Sequence, residues 1–128
     1  MEIDKRMKYS KTHEWVLVEG NKAKIGVSDY AQQQLTDIVF VELPEVNTRI
    51  EKGKSFGVIE SVKAVEDVYS PITGKVLSKN QAVIDTPELI NNDPYNAWLI
   101  EVSIENPKEL DELMDAEAYK KFLETESH

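Results

Sequence analysis

A β-rich sandwich with helical additions is the fold class this sequence predicts, and three observations predict it. Short strand-like runs separated by turn residues occupy most of the chain. Helical periodicity is confined to one short internal stretch and the end, and no parallel strand–helix–strand alternation occurs. The 128 residues are 41% hydrophobic and 30% charged, a globular composition of a length suited to one core. A single domain over residues 1–128 is expected, with a β core over about residues 20–104 and helices over residues 106–125.

The elements follow in chain order. Residues 9–20 form a strand carried by Glu14, Trp15, Val16, Leu17 and Val18, closed by the turn Glu19-Gly20-Asn21-Lys22. Residues 23–27 return as its hairpin partner. Ser28 is a good N-cap, and Asp29 suits the positive end of a short helix whose apolar side is supplied by Tyr30, Ala31, Gln34 and Leu35. Ile38-Val39-Phe40-Val41 is a continuous apolar run, the pattern of a strand buried on both faces, and Pro44 stops it. Residues 56–61 and 64–69 are two further strands with very little between them. In Ser70-Pro71-Ile72-Thr73-Gly74 a fixed-φ proline precedes a glycine placed for positive φ, and residues 75–78 follow as a strand. Thr86-Pro87 has the form of an N-cap and first helical residue, Asn91-Asn92-Asp93-Pro94 is irregular, and residues 97–104 are the last strand.

The period then changes. Asn106-Pro107-Lys108-Glu109 combines an N-cap, a proline at the first helical position and a capping-box acid. Leu110, Leu113 and Met114 fall at helical spacing, and Asp115 can cap a second helix whose apolar stripe is Tyr119, Phe122 and Leu123. Both stripes are expected to pack on the sheets.

Composition narrows function by exclusion. A net charge of −9 argues against broad nucleic-acid binding, which needs a basic face, and the last 28 residues hold nine acids against three lysines. No apolar run approaches the ~20 residues that span a bilayer, so no membrane role is expected. The first dozen residues lack the apolar stretch expected of a secretory signal, and Glu2 and Asp4 argue against an uncleaved transit peptide, which favours a cytoplasmic chain, or a mitochondrial matrix protein if it is a processed eukaryotic form. Cysteine is absent and histidine occurs twice, so thiol nucleophiles and thiolate metal sites are excluded, and neither a catalytic residue nor a metal ligand is assigned. Redox or group-transfer chemistry on this chain would need a carried prosthetic group.

One of the thirteen lysines stands apart. Lys63 lies in Glu60-Ser61-Val62-Lys63-Ala64-Val65, where the flanking strands leave room for it only at the tip of a tight hairpin. A charge keeping a turn soluble is the bland explanation. Against it, Val62 and Ala64 are not turn formers, and the turn at residues 70–74 braces the hairpin from behind. A modifying enzyme needs such a rigid presentation.

The run Gly57-Val58-Ile59-Glu60-Ser61-Val62-Lys63-Ala64 is similar to the lipoylation segment of glycine cleavage H proteins. Thr12-His13-Glu14-Trp15-Val16, Ile25-Gly26-Val27-Ser28-Asp29-Tyr30-Ala31, Asp37-Ile38-Val39-Phe40-Val41-Glu42-Leu43-Pro44, Tyr69-Ser70-Pro71-Ile72-Thr73-Gly74 and Asn92-Asp93-Pro94-Tyr95 resemble the same family in the same order, as does the stretch over residues 110–122. Acyltransferase lipoyl domains typically place Asp before the modified lysine and biotin carriers place Met on both sides, whereas Val62 and Ala64 stand here.

The resemblance implies a mainly β barrel-sandwich hybrid of two antiparallel sheets, of lipoyl- and biotinyl-carrier type, with a short internal helix and C-terminal helices. It implies lipoic acid joined covalently to Lys63, with Glu60, Ser61, Val62 and Ala64 recognised around it. It also implies a monomeric, non-catalytic shuttle that carries the aminomethyl group of glycine. The partners would be a pyridoxal-phosphate glycine decarboxylase (P protein), a tetrahydrofolate-dependent aminomethyltransferase (T protein), dihydrolipoamide dehydrogenase (L protein), and a lipoate ligase or lipoyl/octanoyl transferase. Thr12, Glu14 and Asp67 match a cleft that would shelter the loaded arm, either acid able to hold its ammonium. Two departures stand out: Asn96-Ala97-Trp98, where relatives often have glycine shortly before the tryptophan, and Gln34, where some have histidine. A lipoyl or octanoyl relay protein using the same Lys63 is the alternative, with a biotin carrier, an unmodified scaffold and an independent enzyme behind it.

Overall fold

The computed structural model describes residues 1–126. A six-stranded antiparallel sheet runs β1-β2-β3-β9-β8-β5, built from β1 (Lys8–Tyr9), β2 (Glu14–Glu19), β3 (Lys22–Val27), β5 (Arg49–Ile50), β8 (Gly74–Lys79) and β9 (Ile100–Ser103). A three-stranded sheet runs β4-β6-β7, from β4 (Ile38–Glu42), β6 (Ser55–Ser61) and β7 (Val65–Tyr69). The helices are α1 (Asp29–Leu35), α2 (Gln81–Asp85), α3 (Leu89–Asn92), a 3₁₀ turn (Pro107–Glu112) and α4 (Ala116–Glu126). The two sheets share a core in which Val16, Ile25 and Val76 from one meet Val41, Ile59 and Val68 from the other. This is the hybrid of two antiparallel sheets that the resemblance implied. Strands begin at Lys8, ahead of the boundary at residue 20.

The first hairpin forms because Gly20, at φ +70°, takes the left-handed turn position that a side chain would strain. Its register pairs Glu19 with Lys22 and Glu14 with Val27. Residues 10–13, drawn above into one strand with 14–18, are instead a loop between β1 and β2. At α1 the Ser28 hydroxyl accepts from the amide of Ala31, the expected cap.

β4 is not buried on both faces. Its register slips between Ile38 and Phe40, so Val39 bulges and both Val39 (56%) and Phe40 (48%) stand exposed while Ile38 and Val41 face the core. One extra residue in the ladder is enough to turn two neighbours outward. Gly74 does not use positive φ either. It sits at the start of β8, where an added Cβ would lie 1.8 Å from the Ser103 carbonyl oxygen, so glycine is required by the close pass of β9.

The second half holds two further corrections. Thr86 ends α2 instead of starting a helix: its amide donates to the Ala82 carbonyl, and the N-cap is Asn80, whose side chain accepts from the amide of Ala82. Glu109 forms no capping box. Its carboxylate reaches the Thr73 amide and hydroxyl, both at 2.8 Å, and fastens the 3₁₀ turn to the loop before β8. Asn106 and Asp115 do cap, through the amides of Lys108 and Ala118.

The terminal stripes pack on the sheets, but the first is not one helix: the 3₁₀ turn ends at Glu112, and Leu113 and Met114 lie beyond it, Met114 bridged to Tyr9. Leu110 and Leu113 lie against the inter-sheet core. Tyr119 and Leu123 of α4 join Met7, Tyr9, Trp15 and Tyr95 in a second cluster under β1 and β2. There Tyr9 and Tyr119 stack with ring centroids 4.3 Å apart. The Tyr119 hydroxyl is hydrogen-bonded to Ser28 Oγ (2.7 Å) and His13 Nδ1 (2.9 Å), which ties α4 both to the start of α1 and to the loop over residues 10–14. That tie sets one wall of the site.

Candidate functional site: a lysine hairpin over a cleft with a buried acid

β6 and β7 pair from Ser55↔Tyr69 up to Glu60↔Val65, leaving Ser61, Val62, Lys63 and Ala64 to make the bend. Neither Val62 nor Ala64 supplies a turn-forming side chain, and Ser61 does so for them. Its hydroxyl oxygen accepts from the amides of Lys63 (3.2 Å) and Ala64 (3.0 Å), while its own amide donates to the Ala64 carbonyl at 2.8 Å. A further bond from the Val62 amide to the Asp37 carbonyl, at 2.9 Å, braces the bend against the loop before β4. The backbone around Lys63 is held while its side chain is exposed. The ammonium donates to the Gln34 carbonyl at 3.1 Å, in the last turn of α1, where unpaired carbonyls and the negative helix end favour a cation. Glu60 is half-buried on β6, directly between Phe40 and Val65.

Lys63 stands at the rim of a cleft of about 550 Å³, bounded by α1, the outer edge of β7 and the loop over residues 10–14; Gln34, Tyr30, His13, Glu14 and Asp67 also line it. Glu14 is its deep group, only 2% exposed. The preceding loop wraps around this carboxylate. Ser10 Oγ donates to Oε1 at 2.7 Å, Thr12 Oγ1 donates to the same oxygen, and the Tyr69 amide donates to Oε2 at 3.2 Å. A left-handed His13 (φ +76°) makes the loop tight enough for both hydroxyls to reach back. Burial dominates over these donors and pushes the Glu14 carboxyl up to about 7. The site therefore holds an acid poised between its two protonation states near neutral pH.

Asp67 is exposed on β7 and accepts from Ser55 Oγ at 3.0 Å. No hydrogen bond joins it to Glu14 among the described residues; two positions along β7, the Tyr69 amide makes that contact. Burial lowers the His13 imidazole's pKa although Glu126 faces Nε2 at 3.5 Å; His13 also packs on Tyr30. The structure thus brings Lys63, Thr12, Glu14 and Asp67 to one cleft and leaves Glu60 and Val62 outside its lining. Ser10, Tyr69 and the Gln34 carbonyl are contributors that sequence reading missed. The first had a signal: hydroxyl, hydroxyl, acid at positions 10, 12 and 14.

A two-sheet hybrid that holds one lysine out on a rigid bend, over a cleft with a buried acid, is the form of a carrier domain. Comparison with known proteins narrows the class. The glycine cleavage H-protein family model matches residues 7–126. The glycine cleavage system H protein of Thermoanaerobacter pseudethanolicus is 54% identical over 126 residues, covering 98% of this chain and all of the relative. That of Carboxydothermus hydrogenoformans is 53% identical, covering 97% of this chain and 96% of its own. The crystal structure of the H protein from Mycobacterium marinum superposes with a TM-score of 0.82 at 30% identity, covering 98% of this chain and all of that one. The chain belongs to the glycine cleavage H-protein family, and a shuttle role in glycine cleavage accords with its relatives.

Proposed function

We propose that the chain works as a non-catalytic lipoyl carrier of glycine cleavage, with lipoate joined to Lys63 Nζ by an amide bond. The observation that carries this reading is the placing of one exposed lysine, on a bend braced by Ser61 and Asp37, at the rim of the cleft that holds Glu14. Those residues suit the group: an arm rooted at Lys63 has a cleft of about 550 Å³ beside it. When bound, lipoate supplies the disulfide chemistry that a chain without cysteine lacks.

What the chain's own residues do is hold, orient and shield. Ser61 fixes the root of the arm. The Gln34 carbonyl parks the unmodified ammonium, and acylation removes that charge and frees the carbonyl. Glu14, once ionised, accepts a hydrogen bond from a cationic aminomethyl cargo, with Thr12 orienting its carboxylate and Asp67 adding negative potential from the strand edge. An arm folded back from Lys63 would lie between α1 and β7, whose walls would limit the access of water to its cargo.

By this reading the P protein loads the arm, the T protein unloads it and the L protein reoxidises it, while a lipoate ligase or lipoyl/octanoyl transferase attaches it. The carrier is taken as a single-domain monomer, and the bacterial relatives favour the cytoplasm as its place of work. The test is Lys63→Ala in a reconstituted glycine cleavage assay. Complete loss of glycine decarboxylation, with the thermal midpoint unchanged, is the expected result. Full activity of that variant would end the proposal.

A further inference from the structure

Lys63 has two surroundings. On one side is the cleft. On the other is the outer face of the three-stranded sheet, and that face is apolar where it meets the hairpin. The register sets Phe40, Glu60 and Val65 side by side across β4, β6 and β7, so their side chains share the outward face. Phe40 is 48% and Val65 66% exposed; the bulged Val39 and the hairpin's own Val62 extend the strip, Val62 at 69%. Glu60 stands within the strip, and Glu42 and Asp67 flank it on the same face; the sheet has no Lys or Arg in any strand, and none of these three acids forms an ion pair among the described residues. An apolar strip flanked by uncompensated acids is complementary to a protein surface with an apolar patch and a basic rim.

We propose that this strip is where the enzyme that acylates Lys63 docks. The inference rests on the reading of Lys63 as the modified residue. Enzymes that use the sulfur end of the arm work an arm's length from the hairpin and need not touch its root. The acylating enzyme must bring its reacting carbon to Nζ itself, drawing it off the Gln34 carbonyl, and so must lie against the hairpin that carries it. In its step the lysine nitrogen attacks the carbonyl carbon of a lipoyl adenylate. The amide C–N bond forms, AMP leaves with the electrons of the broken C–O bond, and the starting ammonium gives up two protons to solvent or base. Acylation also deletes the hairpin's cation, so the hairpin's charge changes once the step is complete.

The test uses the unmodified full chain, a lipoate ligase, ATP and lipoate, with Phe40→Thr and Val65→Thr made singly and together; threonine keeps strand propensity and removes apolar area. The expected result is a KM for the carrier at least tenfold higher in the double variant, with kcat within twofold and the thermal midpoint unchanged. Raising salt from 50 to 300 mM should raise the wild-type KM as well. The second arm takes the same variants after prolonged incubation has modified them fully. Loading by glycine decarboxylase should then match wild type. An unchanged KM for acylation overturns the docking proposal. An equal loss in loading of the modified protein overturns it too, because the strip would then serve the cycle enzymes. Wild type that is acylated elsewhere, with Lys63 bare, is a separate failure: it sinks the Lys63 reading itself.

Discussion

The two sheets use the same antiparallel geometry for different ends, and their charges show it. The six-stranded sheet carries Lys8, Lys22, Lys24, Arg49, Lys75 and Lys79 against Glu14, Glu19 and Glu101. Several of these are matched locally: Lys22 with Glu101, Lys24 with Glu19, Arg49 with Glu51 and Glu105, Lys79 with Glu45. The three-stranded sheet has acids alone in its strands, without ion pairs among the described residues, and exposes Phe40 and Val65. One sheet has several of its charges matched within the molecule. The other is left incomplete around a lysine, as a surface meant for other molecules would be.

That contrast can be broken at its strongest point first. Gly74→Ala pushes a methyl group to 1.8 Å from the Ser103 carbonyl oxygen, between β8 and β9. A loss of about 4 kcal/mol or more is expected in urea unfolding, because the backbone of two central strands would have to part. An outward substitution such as Val65→Thr should stay within about 0.5 kcal/mol in the same experiment. If the two costs came out alike, the division of labour between the sheets would be wrong.

Glu14 sharpens the comparison, since it belongs to the stable sheet and faces the cleft. Folded, its carboxyl holds a proton up to about 7, against 4.5 for the free group. The native state therefore binds more protons than the unfolded chain between those values. Stability from this group is fully present below 4.5, and it is lost as pH rises through 7. The difference is on the order of 3 kcal/mol between pH 4.5 and pH 8, or about 10 °C in the thermal midpoint. His13 acts in the opposite sense, because its lowered pKa destabilises the folded state as pH falls through 6.5. Glu14→Gln isolates the carboxyl: the pH profile should lose the acid-side gain and keep the histidine's loss. A profile identical to wild type would contradict the raised pKa of Glu14.

Smaller effects follow. Ser61→Ala removes the hydroxyl that closes the hairpin, at a cost of about 1 kcal/mol, and should slow acylation of Lys63 by roughly tenfold in a ligase assay. Lys24→Ala breaks a pair with Glu19 in which both side chains are about one-third or more exposed, and it should move the urea midpoint by less than the equivalent of about 0.5 kcal/mol.

Where local chemistry decides structure, the sequence was legible. Gly20, Ser28, Asn106 and Asp115 each announce a turn or cap that forms as read. The Lys63 hairpin was legible from the short gap between two strand-like runs. Its closing residue was overlooked because Ser61 lies at the end of the strand. Tertiary placement defeated the rest. Nothing in Ile38-Val39-Phe40-Val41 announces a bulge, which depends on the partner strand's register. Gly74 was read for its own φ when a neighbouring strand set the requirement, and Glu109 for its own helix when Thr73 was in reach. Glu14 and Asp67 came into view through family resemblance. The burial of Glu14 arises from a loop folding over its own acid, which periodicity does not encode.

Peptide mass spectrometry across residues 56–75 of protein purified from its own lipoate-replete cells tests the account most directly. A lipoyl group on Lys63, with Lys75 unmodified, is the predicted result. A bare Lys63 in such cells, or lipoate found on a different lysine, would contradict it.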